Sequence, residues 1–499
     1  MNPGLQPRFP LLILVLTCVV AAYACAVPLA TEYSIEQERT EVHFQAQPQP
    51  HLEVTVRFNL LNSGTQELEE ITARMPAESV YDLSDCEFQI GGEQVRAAPE
   101  AAGSPGRVIL HFTKSWKQKE RRQIRISYKF QQGITKREIA AFTAEDSFYL
   151  SPAEWLPVLL PPSNAYSAVR GPLKQNSLLV RTPQDFQVRA SGEQKSRQKE
   201  TGEITTRFEI GKHSSAPFVV AGRYAAQQIR VAELTVSFWT RHAYGAKDAQ
   251  SVAQKVARIV AKFDETLGPR PDKKQAVWMI ESPAANHIVG LGVPEGGRGT
   301  ALTTYGRIPD TALLDAEVFQ TNKVPFVAEK LIPSWTGFGH SLDVENVWPM
   351  TELNAYVGTL ASLYSEASQT RSEAIFQLIL QFQQGKEREA QQYADLAERK
   401  SFLARPEVEN AFKAELFFFA LEDRFGSEKL HKALRVLVEA RRGQGYTLDD
   451  LIAALEQESR QSVAPFTRTW LKHPGLPEEF RRRYQSGSTA ATAAKEGSK

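Results

Sequence analysis

The sequence predicts two folded domains, an antiparallel β domain followed by a mainly helical one. Three observations predict it. The chain has 499 residues, against roughly 150 per domain. Apolar residues recur with period two over the first half. They recur with helical spacing over the second. The composition, 42% hydrophobic and 23% charged, is that of a chain with real cores. Lys plus Arg number 59 and Asp plus Glu 58. That balance excludes a global basic field for nucleic acid and an acidic, disordered chain.

The first element is a targeting segment. Arg8 precedes an apolar run from Leu11 to Ala26, broken only by Thr17 and Tyr23. A basic start, a short apolar stretch and small residues at its end read as a secretory signal over 1–26. Ala22-Tyr23-Ala24 and Ala24-Cys25-Ala26 both fit a cleavage site. Left uncut, the segment would be a short membrane anchor. The predicted location is therefore outside the cytoplasm: periplasmic, extracellular or membrane-anchored. Two of the three cysteines, Cys18 and Cys25, lie in this segment. Cys86 alone would remain, so the exported protein would fold on its core and not on disulfides.

The β domain is expected over 31–228. Leu52, Val54, Val56, Phe58 and Leu60 alternate with Glu53, Thr55, Arg57 and Asn59, and Asn62-Ser63-Gly64 follows as a turn. Ile124, Ile126, Tyr128 and Phe130 alternate again, as do Ile204, Thr206, Phe208 and Ile210. Such alternation marks strands with one buried face. The polar run Glu193–Glu203 reads as a hairpin loop.

The period changes after Leu234, Val236 and Phe238, and the second domain is expected over 229–484. Val252, Val256, Ile259, Val260, Phe263 and Leu267 share one helix face, closed by Gly268-Pro269. Ala276–Ile280 is a short apolar strand. Helices follow over Arg371–Gln384, ending at Gly385, and over Glu407–Phe425, ending at Gly426. The run Leu416-Phe417-Phe418-Phe419 with Leu421 reads as a helix buried on all sides. Thr447 with Asp450 forms a capping box before Leu451, Ile452 and Leu455. The stretch 485–499 has no apolar face and reads as a disordered tail.

The chemistry-bearing residues do not assemble into a recognised catalytic motif. None of the nine histidines lies three, four or five residues from another, so no helix offers two imidazoles to one metal. Gly296-Gly297-Arg298-Gly299 lacks the lysine and spacing of a phosphate loop, and no nucleophile elbow appears.

Several segments, in order, nevertheless resemble the zinc aminopeptidases of the membrane alanyl aminopeptidase type. Phe218-Val219-Val220-Ala221-Gly222-Arg223-Tyr224 resembles the strand that ends that family's β domain. Phe263 to Pro271, with the strand Ala276–Ile280, resembles the first helix and strand of its peptidase domain. Gly292-Val293-Pro294-Glu295-Gly296 falls where the family carries Gly-x-Met-Glu-Asn. Ser334-Trp335-Thr336-Gly337 resembles the end of its zinc helix, His-Glu-x-x-His-Ser-Trp-x-Gly. Phe412 and the run Trp470-Leu471-Lys472-His473-Pro474-Gly475 share its character.

The resemblance implies a thermolysin-like second domain and, for the family, a zinc cofactor. Anchored on Trp335, it places the two zinc histidines at Glu329 and Pro333, and the general-base glutamate at Lys330. The third ligand falls on Glu352, or on Thr351 when Trp348 is the anchor. Ala411 and Phe412 stand where the family has its tyrosine. Glu295, with Gly292, matches the group that holds a substrate amino terminus. Zinc needs three protein ligands and an open position for water. These positions offer a cation and a proline instead of imidazoles and a base. The expectation is a degenerate peptidase without bound zinc, one that binds a peptide or protein partner. An active peptidase with unusual ligands and a β-domain adhesion module are the alternatives.

Overall fold

The structure, a computed structural model, describes residues 32–76, 86–95, 97–99, 106–131, 141–150, 155–160, 173–210, 217–270, 276–282, 310–314, 316–322, 324, 327–336, 348–366, 370–390, 411–441, 446–472 and 475–485. The expected signal over 1–26 and the tail beyond 485 lie outside them. A β-rich part precedes a helical part, as the patterning predicts.

The chain divides into two compact units. The first comprises 1–134, 154–184 and 192–214. Its larger sheet has eight strands, in spatial order β14 (Glu193–Lys199), β15 (Glu203–Ile210), β12 (Gln175–Pro183), β1 (Ser34–Gln45), β2 (His51–Leu61), β8 (Arg121–Gln131), β4 (Glu87–Ile90) and β5 (Glu93–Val95). A four-stranded sheet has the order β11 (Val158–Leu160), β3 (Leu68–Arg74), β7 (Arg107–Trp116) and β6 (Ala97–Pro99). In β2 every second residue from Leu52 to Leu60 is buried, which is why the alternation is so regular. The predicted turn at Asn62 is held from inside. The buried Asn62 amide donates to Gln66 O and Trp116 O, both at 2.9 Å. Gly64 passes so close to Glu32 that an added Cβ would stand 3.0 Å from its carbonyl.

Two expectations for this region need correction. The larger sheet is not wholly antiparallel, because β1 pairs with β12 in parallel, with Thr40 opposite Leu178. Those strands are far apart in sequence, so no hairpin dictates their direction. The segment read as a loop from Glu193 is the edge strand β14, paired with β15. It is exposed along almost its whole length, so it carries no apolar alternation to detect. Its charges also suit an edge that must not recruit another strand.

The second unit comprises 135–153, 185–191 and 215–499. It is therefore interleaved with the first rather than following a single boundary near 228. The cause is a sheet in the order β13 (Gln187–Ala190), β16 (Val219–Gly222), β10 (Ser147–Leu150) and β9 (Ala141–Ala144), which gathers strands from three parts of the sequence. A further sheet runs β17 (Ala225–Val231), β18 (Leu234–Thr240), β19 (Ala276–Glu281) and β20 (Thr311–Leu314). Strands β18, β19 and β20 are parallel. The first helix, α1 (Ala246–Leu267), is the crossover between β18 and β19. It buries Val252, Val256, Ile259, Phe263 and Leu267 and stops at Gly268, with φ 83°.

The remaining helices are α2 (Ala316–Thr321), α3 (Val327–Leu331), α4 (Pro333–Thr336), α5 (Trp348–Glu366), α6 (Arg371–Ala390), α7 (Ala411–Phe425), α8 (Ser427–Arg441), α9 (Leu448–Ser459), α10 (Ala464–Lys472) and α11 (Glu478–Gln485). Helix α7 is buried from Leu416 through Leu421, as its unbroken apolar run requires. Helix α6 does not stop at Gly385 but continues to Ala390. A glycine inside a helix costs only about 1 kcal/mol, which packing offsets. No helix among the described residues is long and apolar enough to cross a membrane.

The capping box at α9 is present. Thr447 Oγ1 accepts from Asp450 N at 3.2 Å, and Asp450 Oδ2 accepts from Thr447 N at 2.8 Å. Thr447→Ala is expected to destabilise the helical unit by about 1 kcal/mol. Urea unfolding of the two proteins measures this, and identical midpoints would refute it.

Candidate functional site

The segment that the resemblance equates with a zinc helix is two short helices, not one. Helix α3 ends at Leu331, Ile332 forms a turn, and Pro333 opens α4. Proline has no N–H, so the ladder loses its bond at that residue. Ile332 N–H donates to Ala328 O at 3.0 Å. The ladder then tightens, with Trp335 N–H donating to Ile332 O at 2.9 Å. Positions 329 and 333 therefore belong to different helices. They do not share the continuous one-turn face on which two ligands could meet a single ion. This break follows from the sequence, since Pro333 alone demands it.

Lys330 is half-buried on α3. The side chains of Glu329, Pro333, Thr351 and Glu352, and the whole of 283–309 with Gly292 and Glu295, lie outside the described residues. Among the described residues, no group of three His, Cys, Asp or Glu side chains is placed to hold a metal ion. The donor set at the positions implied by the resemblance does not fit zinc. Proline has no side-chain lone pair, and an ammonium group repels a dication.

The surroundings of this segment are firmly built. Trp335 is buried against Phe263 of α1, with ring centroids 4.9 Å apart in an edge-to-face arrangement. Its indole N–H donates to Asp264 at 2.7 Å. Burial raises the Asp264 carboxyl above its ordinary range, and the indole N–H and Arg270 oppose that shift. The Arg270 guanidinium lies 5.1 Å from the Trp335 ring centre and pairs with Asp310 at 2.5 Å. Asp310 N–H donates to Ser334 Oγ at 2.8 Å. Arg189 of β13 donates to Thr311 of β20 at 3.4 Å, and its guanidinium lies 3.7 Å from the Trp278 ring centre. Burial pushes the Arg189 pKa down to about 10, opposed by the Asp310 charge. Asp310 thus joins β20, α4 and the end of α1 just after 283–309.

Thr336 ties α4 to α5, its hydroxyl donating to Asn354 Oδ1 at 3.0 Å. Further along α5, Tyr356 is buried against Phe418 and Phe419 of α7, and its hydroxyl lies 3.3 Å from His431 Nε2. Sequence reasoning singled out Trp335 through the resemblance but missed Arg189, Arg270, Asp310, Asn354 and His431 as partners. Each is an isolated polar residue without a spacing signal. Their significance arises from contacts between distant segments.

No protein-family profile matches the sequence, and no curated protein sequence is similar to it. Solved structures are similar in fold. One is an M1 zinc metallopeptidase from Deinococcus radiodurans, at 14% identity and TM-score 0.55, covering 90% of this chain and 97% of that one. Another is a mutant of the M1 zinc metallopeptidase from Deinococcus radiodurans bound to a Tyr-Ser-Ala substrate. It has 15% identity and TM-score 0.53, covering 89% of this chain and 95% of that one. The chain thus has the two-part architecture of these peptidases, a β-rich part followed by a helical part.

Proposed function

We propose that this chain, built on the fold of two-domain zinc metallopeptidases, is a catalytically inactive, exported relative that binds a peptide or protein partner. The observation that carries the reading is the break at Pro333. Two histidines one turn apart, on one helix, are what the chemistry of such a site requires. Here the corresponding positions hold Glu329 and Pro333 in separate helices, and Lys330 stands where a carboxylate base belongs. Without a metal, the water that a zinc peptidase uses on an amide bond is not activated. What remains is a binding function. In this reading Glu295 and Gly292 take a peptide amino terminus, and Glu352 adds a second carboxylate. The apolar N-terminal segment accounts for export or membrane attachment at the cell envelope.

Metal content tests this directly. The protein from about Val27, after the signal, is loaded with excess zinc and desalted. Bound zinc is then counted by mass spectrometry, and amino-acid amides are offered as substrates. Zinc near zero per chain, without hydrolysis, is expected. About one zinc per chain with amide cleavage would overturn the proposal. The peptidase with unusual ligands would then be correct.

A further inference from the structure

The helical unit has a concave site lined by described residues. A cavity of about 300 Å³ is walled by α1, α5, α7 and α8. Its residue on α5, Leu360, lies eight positions beyond Glu352, about 12 Å along the helix. From α8 it is lined by Glu428, His431 and Arg435. These stand at i, i+3 and i+7, so they form one row along one helix face. Lys262 and Glu265 of α1, Glu422 of α7 and Ser427 of α8 complete the polar lining.

The charges in this lining fall into two groups. Lys262 pairs with Glu265 at 2.8 Å, and Glu422 is held by Arg371 at 3.0 Å. Glu428 and Arg435, by contrast, form no ion pair among the described residues. The Arg435 stem lies beside Gly268. An exposed carboxylate and an exposed guanidinium, with no ion pair among the described residues, thus face one cavity from the same helix.

Between them lies a buried imidazole. His431 is only 6% exposed. Its Nε2 lies 3.3 Å from the Tyr356 hydroxyl. Burial, together with the Lys262 and Arg435 charges, pushes the His431 pKa down to about 4, and Glu265 opposes this. The ring is therefore neutral near pH 7.

The row reads carboxylate, neutral imidazole, guanidinium. A simple anion would meet Glu428, and a simple cation would meet Arg435, so the complementary ligand carries both signs. The α-carbons of Glu428 and Arg435 are about 10 Å apart, and both side chains are long. The charges of an extended dipeptide are about 7 Å apart. We propose that this cavity binds a short zwitterionic peptide of about two residues. Its ammonium group rests on Glu428, its carboxylate on Arg435, and its peptide group beside the His431 imidazole. The site shares no residue with Gly292, Glu295 or Glu352, and does not depend on whether those positions serve catalysis.

Calorimetric titration of the full chain at neutral pH tests it, with Ala-Ala, Leu-Leu and Lys-Glu as probes. Saturable binding is expected for at least one of them. N-acetylation and C-terminal amidation of that dipeptide should each weaken binding at least about tenfold. Arg435→Gln should do the same without moving the melting temperature, since that side chain has no ion pair to lose. No binding of any probe up to about 10 mM would overturn the proposal. Equal binding of the blocked peptides, or an undiminished Arg435→Gln protein, would overturn it as well. Binding that is lost in Glu295→Gln but retained in Arg435→Gln would place the dipeptide at Glu295 and refute this site.

Discussion

Asp310→Ala is expected to destabilise the helical unit by about 3–5 kcal/mol, the largest effect of any single substitution considered. Asp310 and Arg270 pair at 2.5 Å, with side chains only 6% and 5% exposed. Removing the carboxylate leaves the Arg270 guanidinium buried without its counter-charge. It also removes the charge that steadies the buried Arg189. A loss of this size is a large share of the roughly 5–15 kcal/mol that holds a typical domain together. The Arg270 guanidinium also lies over the Trp335 ring, so α4 should loosen first. Urea unfolding followed by tryptophan fluorescence measures the effect. The double variant Arg270→Met with Asp310→Leu should recover much of the loss, because neither charge is then stranded. A shift below about 1 kcal/mol for Asp310→Ala would mean that solvent or another group already compensates Arg270.

Acidification should weaken the same unit through His431. The folded protein holds His431 near 4, below its ordinary 6.5, through burial and the Lys262 and Arg435 charges. Glu265 works against the shift. The unfolded chain therefore takes up the proton first. The contribution of neutral His431 is complete above about pH 6.5, is lost progressively toward pH 4, and changes no further below that. Its ceiling is about 3 kcal/mol. His431→Gln keeps a polar group against Tyr356 but cannot titrate. Its stability should change less between pH 7 and 4.5 than that of the parent protein. Equal pH slopes in both proteins would sink the assignment.

Much of the architecture was legible because its signal is local. The strict alternation in β2, the one-sided apolar face of α1 and the continuous apolar run of α7 each reflect one element burying one surface. The capping box at Thr447 and the stop at Gly268 are backbone requirements that particular residues satisfy. The edge strand β14 escaped detection because it has no core face. The parallel pairing of β1 with β12 escaped because strand direction is set by long-range connection rather than by composition. Gly385 misled because a glycine ends a helix only where packing does not carry it through.

The candidate site divides in the same way. By itself, the sequence determined that positions 329, 330 and 333 carry a carboxylate, an ammonium and a proline. It thereby determined the break between α3 and α4, since a missing N–H cannot be supplied by any fold. Only the tertiary structure decided that Arg270 answers Asp310, and that Glu428, His431 and Arg435 face one cavity. It alone decided that the Tyr356 hydroxyl meets His431. A proline acts on its own backbone, whereas a buried charge or an imidazole takes its character from whatever distant segment is folded against it.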